Sequence, residues 1–237
     1  MYKRQSAHCG GRGNRSSINR SPSLILVEGS DDLHFLLHLL YCHNFERAEL
    51  IPGERFAIRR SGGDERIELK SKNGYEILVD HLRLELTPTH LRRLAVIVDA
   101  NGDALARWES VRQRLYDSGY TELPTIFPPD GLVVQQLGKP VVGIWIMPDN
   151  QSLGFIESFV AEMIAPSDRL WPLAQGAVEA IPVDDRRFSA SHAVKAKVHT
   201  WLGLAGQPGT RMPEAIARQY LLTNCPSALA LETYGKR

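Results

Sequence analysis

Acidic residues gather where the apolar runs of this 237-residue chain stop. Leu24-Ile25-Leu26-Val27 leads into Glu28-Gly29-Ser30-Asp31-Asp32, and Leu94-Ala95-Val96-Ile97-Val98 leads into Asp99-Ala100-Asn101-Gly102-Asp103. A third run, Val141 to Met147, ends at Pro148-Asp149-Asn150, with Glu157 shortly after it. Carboxylates collected at one edge repel by roughly 4 kcal/mol for a pair about 4 Å apart at an effective dielectric near 20. A hard divalent cation, Mg²⁺ or Mn²⁺, removes that cost and takes oxygen ligands. The chemistry such a site supports is phosphoryl transfer, in which a metal activates water and neutralises charge on the leaving oxygen.

The apolar runs that carry these acids lack polar alternation, so they read as strands buried on both faces of a parallel sheet. In open α/β sheets, ligands bind beyond the carboxyl ends of such strands, which is where the acidic turns fall. Ser30 with Leu33, Leu36, Leu37 and Leu40 predicts a helix to about Cys42. A second strand is expected over Phe56 to Arg60, closing at Ser61-Gly62-Gly63, a turn or a phosphate cradle. Leu78, Leu82 and Leu86 mark a helix that Pro88 ends, and residues 103–118 a charged helix with Leu105, Trp108, Val111 and Leu115 inward. A hairpin is expected next, from Gly131–Gln136 and Val141–Met147 around Gly138-Lys139-Pro140. A helix after Gly154 and three more near 171–179, 190–203 and 213–222 complete the pattern. The expected fold is α/β, a mostly parallel central sheet flanked by helices: a basic arm at 1–22, an α/β domain at 23–166, and a helical C-terminal extension at 167–237 packed on it.

Bulk properties narrow the function classes. A net charge of +1 gives no global electrostatic case for nucleic acid, so any such contact must be local, through Arg59, Arg60 or the arginines of the first 22 residues. Cys9, Cys42 and Cys225 are far apart and form neither a disulfide framework nor a zinc pattern, which fits a reducing, cytoplasmic setting. No run reaches the roughly 20 apolar residues of a membrane span.

Together, VEGSDD after a first strand and DANGD after a later one resemble the two signatures of the Toprim domain, found in topoisomerases, bacterial primases and OLD-family nucleases. The phrase MPDN, followed by Gly154 and Glu157, resembles a Toprim-like family of unknown function related to the OLD nucleases. The resemblance spans about residues 23–222. It implies a metal-dependent nuclease acting on DNA or RNA, with Glu28, Asp99 and Lys195 catalytic and Glu28, Asp32, Asp99, Asn101, Asp103 and Glu157 as metal ligands. Lys195, with Lys197 as its neighbour, matches a lysine that precedes a tryptophan-leucine pair in that family, here Trp201-Leu202. Asn101 stands where the family pattern has aspartate, which removes a ligand charge, and Asp103 is the candidate to compensate. The same departure suits an alternative class, a catalytically weak interaction module that partners an ATPase or a defence complex. His34 and His38, one helical turn apart, have no third ligand in view, and a solvated helix face describes them better than zinc. Trp145, within an apolar run, reads as core.

Overall fold

A computed structural model describes residues 23–51, 55–87 and 90–234; the basic arm and Pro88 lie outside them. The chain runs β1 (Ser23–Val27), α1 (Ser30–Cys42), β2 (Phe45–Ile51), β3 (Arg55–Arg60), β4 (Arg66–Ser71), α2 (Tyr75–Glu85), β5 (Arg93–Asp99) and α3 (Ala104–Asp117). It continues through β6 (Leu132–Val134), β7 (Val141–Met147), α4 (Ile156–Met163), α5 (Leu170–Glu179), α6 (Ala193–Leu204), α7 (Met212–Ala217) and α8 (Pro226–Tyr234). The strands form one sheet in the order β2-β3-β4-β1-β5-β7-β6. Strands β4, β1, β5 and β7 are mutually parallel, whereas β3 and β6 run antiparallel to their neighbours.

Strand periodicity divides the core in two. Leu24, Leu26, Leu94, Val96, Val98, Val142, Ile144 and Ile146 pack with α2 and α3 on one face of the sheet. Their alternating neighbours Val27, Ile97, Trp145 and Met147 pack with α1, α4 and the C-terminal helices on the other. This period of two, apolar on both sides, is what a sheet covered by helices on both faces demands. Phe35 of α1, Phe159 of α4 and Trp201 of α6 are fully buried in the second layer. Truncating such a side chain to alanine costs roughly 3–5 kcal/mol. The C-terminal helices are therefore part of the body's own core.

Strand order and helix placement locate a crevice. After β1 the chain passes to α1 on one face, after β5 to α3 on the opposite face, and after β7 to α4 on the first face again. Loops diverging to opposite faces from adjacent strands open a gap at their carboxyl ends. That gap lies at β1, β5 and β7, the strands that carry the acidic turns.

Several elements depart from expectation. Strands β2 and β4 are additional, because the charged residues of FERAELI and RIELKS mask their short apolar patterns. The first hairpin strand shortens to Leu132–Val134, and the last expected helix stops at Ala217, with α8 following. Gly62 has φ 77° and Gly63 N–H bonds Arg60 O at 2.9 Å, so this is a tight turn. Since β3 opposes β4, its end lies at the sheet edge away from the acidic turns. The phosphate-cradle alternative for Gly62 and Gly63 is thus removed from that edge. So are Arg59 and Arg60, the expected nucleic-acid contacts: Arg59 pairs with Glu46 at 2.7 Å and Arg60 stacks on Phe45.

Candidate functional site

Val27 and Ile97 are register partners on parallel strands, so Glu28 and Asp99 leave adjacent strands at the same edge. Glu28 Oε1 accepts the Asp99 backbone N–H at 2.8 Å. Asp99 Oδ1 accepts the Ile156 N–H at the start of α4 at 3.0 Å. At the start of α1, Asp32 Oδ2 accepts the Gly29 N–H at 2.8 Å. A Cβ on residue 29 would stand only 3.1 Å from that oxygen, so glycine is what lets the carboxylate fold back so closely. Each of these three carboxylates is fixed through one oxygen, and among the described residues its second oxygen has no hydrogen-bond partner.

The three line one pocket with about 10 Å³ of free space, walled by Val27, Leu36, Ile97, Val98, Met147 and Ile156. That is about the smallest room that holds a single water, so the pocket takes one ion or water and no substrate. Its apolar walls disfavour charge. Burial raises the Asp99 pKa from 3.8 to about 8, with help from the charges of Asp32, Glu28 and Glu157. Burial likewise raises Glu28 and Asp32, against the backbone hydrogen bonds that favour their ionised forms.

Glu157, 5 % exposed in the first turn of α4, forms the neighbouring wall of charge. Burial pushes its pKa up, but His199 and Lys195 outweigh burial and the net direction is down. Lys195 Nζ lies 3.2 Å from Glu157 Oε2 and His199 Nε2 3.7 Å from Oε1. Oε2 is buried, and the Lys195 ammonium beside it helps hold the Glu157 pKa down. Lys195 and His199 are four apart on α6, which puts both on one helix face. The Lys195 ammonium also rests over the Phe155 ring at 4.2 Å and lowers the pKa of Glu28, Asp32, Asp99 and Glu157.

Other expected residues stand elsewhere. Asp103 is the N-cap of α3, accepting the Ala106 N–H at 2.8 Å, and it does not line the pocket that Glu28, Asp32 and Asp99 share. Asn101 adopts φ 53° and forms an antiparallel bridge with Gly154 through bonds of 2.7 and 3.0 Å. Asparagine tolerates that left-handed backbone better than most residues, which gives position 101 a structural reason for its identity. Gly154 is required opposite it, since a Cβ there would meet Ser158 Oγ at 2.4 Å. Asp149, the third acidic strand end, binds the amides of Gln151 and Ser152 in a local turn. Asn150 folds back onto the Ile146 N–H at 2.8 Å, so MPDN builds the turn that delivers α4. Lys197 pairs with Glu179 at 2.6 Å, leaving Lys195 as the lysine at the site. His34 and His38 each bond the carbonyl one turn back at 2.8 Å. Trp145 is buried in the core as expected.

Arg107 of α3 is the residue the sequence reading passed over: its charge lowers the Glu28 pKa, and its guanidinium lies 3.6 Å from the Tyr75 ring centroid. The signal for it, an arginine one turn after the α3 N-cap, gains meaning only once Tyr75 is placed beside it.

Among the described residues, no group of three or more His, Cys, Asp or Glu side chains is arranged to hold a metal ion. The donor types in the pocket are those a hard cation takes: carboxylate oxygens without hydrogen-bond partners, and no thiol or imidazole in the lining. Among the described residues, no helix is long and apolar enough to cross a membrane.

Comparison with known proteins gives a family. No curated protein matches the chain. A crystal structure of the hypothetical protein PH0156 from Pyrococcus horikoshii OT3 is 14% identical, with a TM-score of 0.41, and the match covers 90% of this chain and 98% of that one. The family model described as "Protein of unknown function (DUF3226)" matches residues 22–236, and the chain belongs to that family.

Proposed function

We propose that the protein is a Mg²⁺- or Mn²⁺-dependent phosphodiester hydrolase or transferase, nuclease-like, acting on DNA or RNA. The observation that carries this reading is the trio Glu28, Asp32 and Asp99, each anchored by one oxygen, around a pocket sized for one ion and left without a neutralising contact. The resemblance of VEGSDD and DANGD to Toprim signatures supports the same reading. Glu28, Asp32 and Asp99 would hold the cation, with Glu157 beside them. When bound, such an ion supplies charge neutralisation at the phosphate and acidifies water. Glu28, its pKa raised by burial, suits proton acceptance from an attacking water. Lys195 stabilises the negative charge that develops on the phosphoryl group, while Glu157 and the Phe155 ring hold its ammonium in place.

The test is cleavage of plasmid, linear duplex and single-stranded DNA and RNA with Mn²⁺. Cutting by the wild type and loss of at least about a hundredfold in Glu28→Ala is the expected result, in line with the scale of general-base contributions. Equal behaviour of the two proteins removes the reading.

A second reading, a non-catalytic module serving an ATPase partner, draws on Asn101. Its backbone bridge to Gly154 explains the residue without a ligand role. Calorimetry separates the two, because the module reading expects no Mn²⁺ binding that depends on Asp99.

A further inference from the structure

We infer that Arg107, its guanidinium carbon 3.6 Å from the Tyr75 ring centroid, is a phosphate-binding residue placed beside Glu28 to take a phosphate adjacent to the reacting one. The other ordered arginines of α3 are spent on neighbours: Arg112 pairs with Glu109 at 3.0 Å and Arg114 with Asp80 at 2.8 Å. Arg107 has no ion pair among the described residues. Asp103, the acid one turn before it, is occupied by the Ala106 amide. Among the described residues the Arg107 guanidinium donates no hydrogen bond, so its N–H fork, whose geometry matches a phosphate oxyanion, is available.

The support beneath it is rigid. Tyr75 is 9 % exposed, and its hydroxyl donates to Arg107 O at 3.2 Å. Gly74 N–H bonds Glu28 O at 2.9 Å, which ties the start of α2 to the backbone of the acidic residue itself. Arg107 is thus joined to the Glu28 backbone through Tyr75 and its neighbour Gly74, and makes no ion pair with Glu28. On the opposite flank Lys195 also rests over an aromatic ring, that of Phe155, while paired with Glu157. Two cations backed by aromatic rings thus bracket the carboxylates, a layout that suits a strand bearing successive phosphates. The inference takes its substrate from the proposed nuclease reading, whereas the phosphate site itself stands independently.

The experiment compares wild type, Arg107→Gln and Arg114→Gln, the last removing equal charge from the same helix. Fluorescence anisotropy with a labelled single-stranded oligonucleotide in Ca²⁺ is run across a salt series, and thermal melts are run with inorganic phosphate. Arg107→Gln is expected to weaken oligonucleotide binding about tenfold or more and to reduce the salt slope by about 0.7, with Arg114→Gln near wild type. Phosphate is expected to stabilise wild type and Arg114→Gln but not Arg107→Gln. Protection by phosphate without oligonucleotide binding would sink the nucleic-acid reading and keep the Arg107 site. Equal binding and equal slopes in all three proteins, or no phosphate protection of the wild type, overturns the inference.

Discussion

Two half-buried carboxylates of this protein meet opposite fates. Glu85, at the end of α2, receives both Lys70 and Lys72 at 2.5 Å. Burial works against its charge, but the two lysines prevail and its pKa falls. Asp99, at the end of β5, is desolvated and feels the charges of Asp32, Glu28 and Glu157 more than that of Lys195, and its pKa rises to about 8. The sheet therefore neutralises half-buried charge where it needs only stability and leaves it exposed to its own kind at the crevice. Charge left without an ion pair in an apolar pocket is costly to keep, and clusters of this sort mark functional sites.

Neutral substitutions should move these two regions in opposite directions. The largest effect is expected at Asp99→Asn. A group whose folded-state pKa is raised stabilises the fold at low pH and loses that contribution as pH rises through the folded value. Wild-type stability should then fall between about pH 4 and pH 8, at up to roughly 1.4 kcal/mol per unit from this residue. Asp99→Asn should flatten that decline and be the more stable protein at pH 8, read as urea midpoints across the series. A decline of the same slope in the variant would mean that Asp99 is not the group responsible. Glu85→Gln should instead destabilise, by about 2 kcal/mol, because it strands two lysines that retain only partial solvent access. An unchanged melting curve would show that the Lys70 and Lys72 contacts contribute little and would weaken the contrast. Smallest of the three, Asp103→Ala should cost about 1 kcal/mol of cap energy and leave Mn²⁺ affinity alone. A loss of affinity there would return Asp103 to the site.

The same contrast explains what could be read from the amino-acid order. Strands β1, β5 and β7 were legible because each is an apolar run with residues facing two cores, and Glu28, Asp32 and Asp99 because they follow such runs directly. Strands β2 and β4 were not, since Glu, Arg and Lys are interspersed among their apolar residues and the alternation in β4 is only Ile67 and Leu69. Spacing alone drew Asn101 and Asp103 into the site, but local backbone bonding claims the Asp103 side chain and gives Asn101 a turn to hold. Arg107 stayed invisible because its partner Tyr75 lies 32 residues away in the chain.

The most direct test of the acidic pocket is Mn²⁺ titration calorimetry at pH 7 in buffers of different ionisation enthalpy. With Asp99 largely protonated at that pH, cation binding should release close to one proton, and both binding and release should vanish in Asp99→Ala. No binding to the wild type, or binding undiminished in Asp99→Ala, would contradict the account.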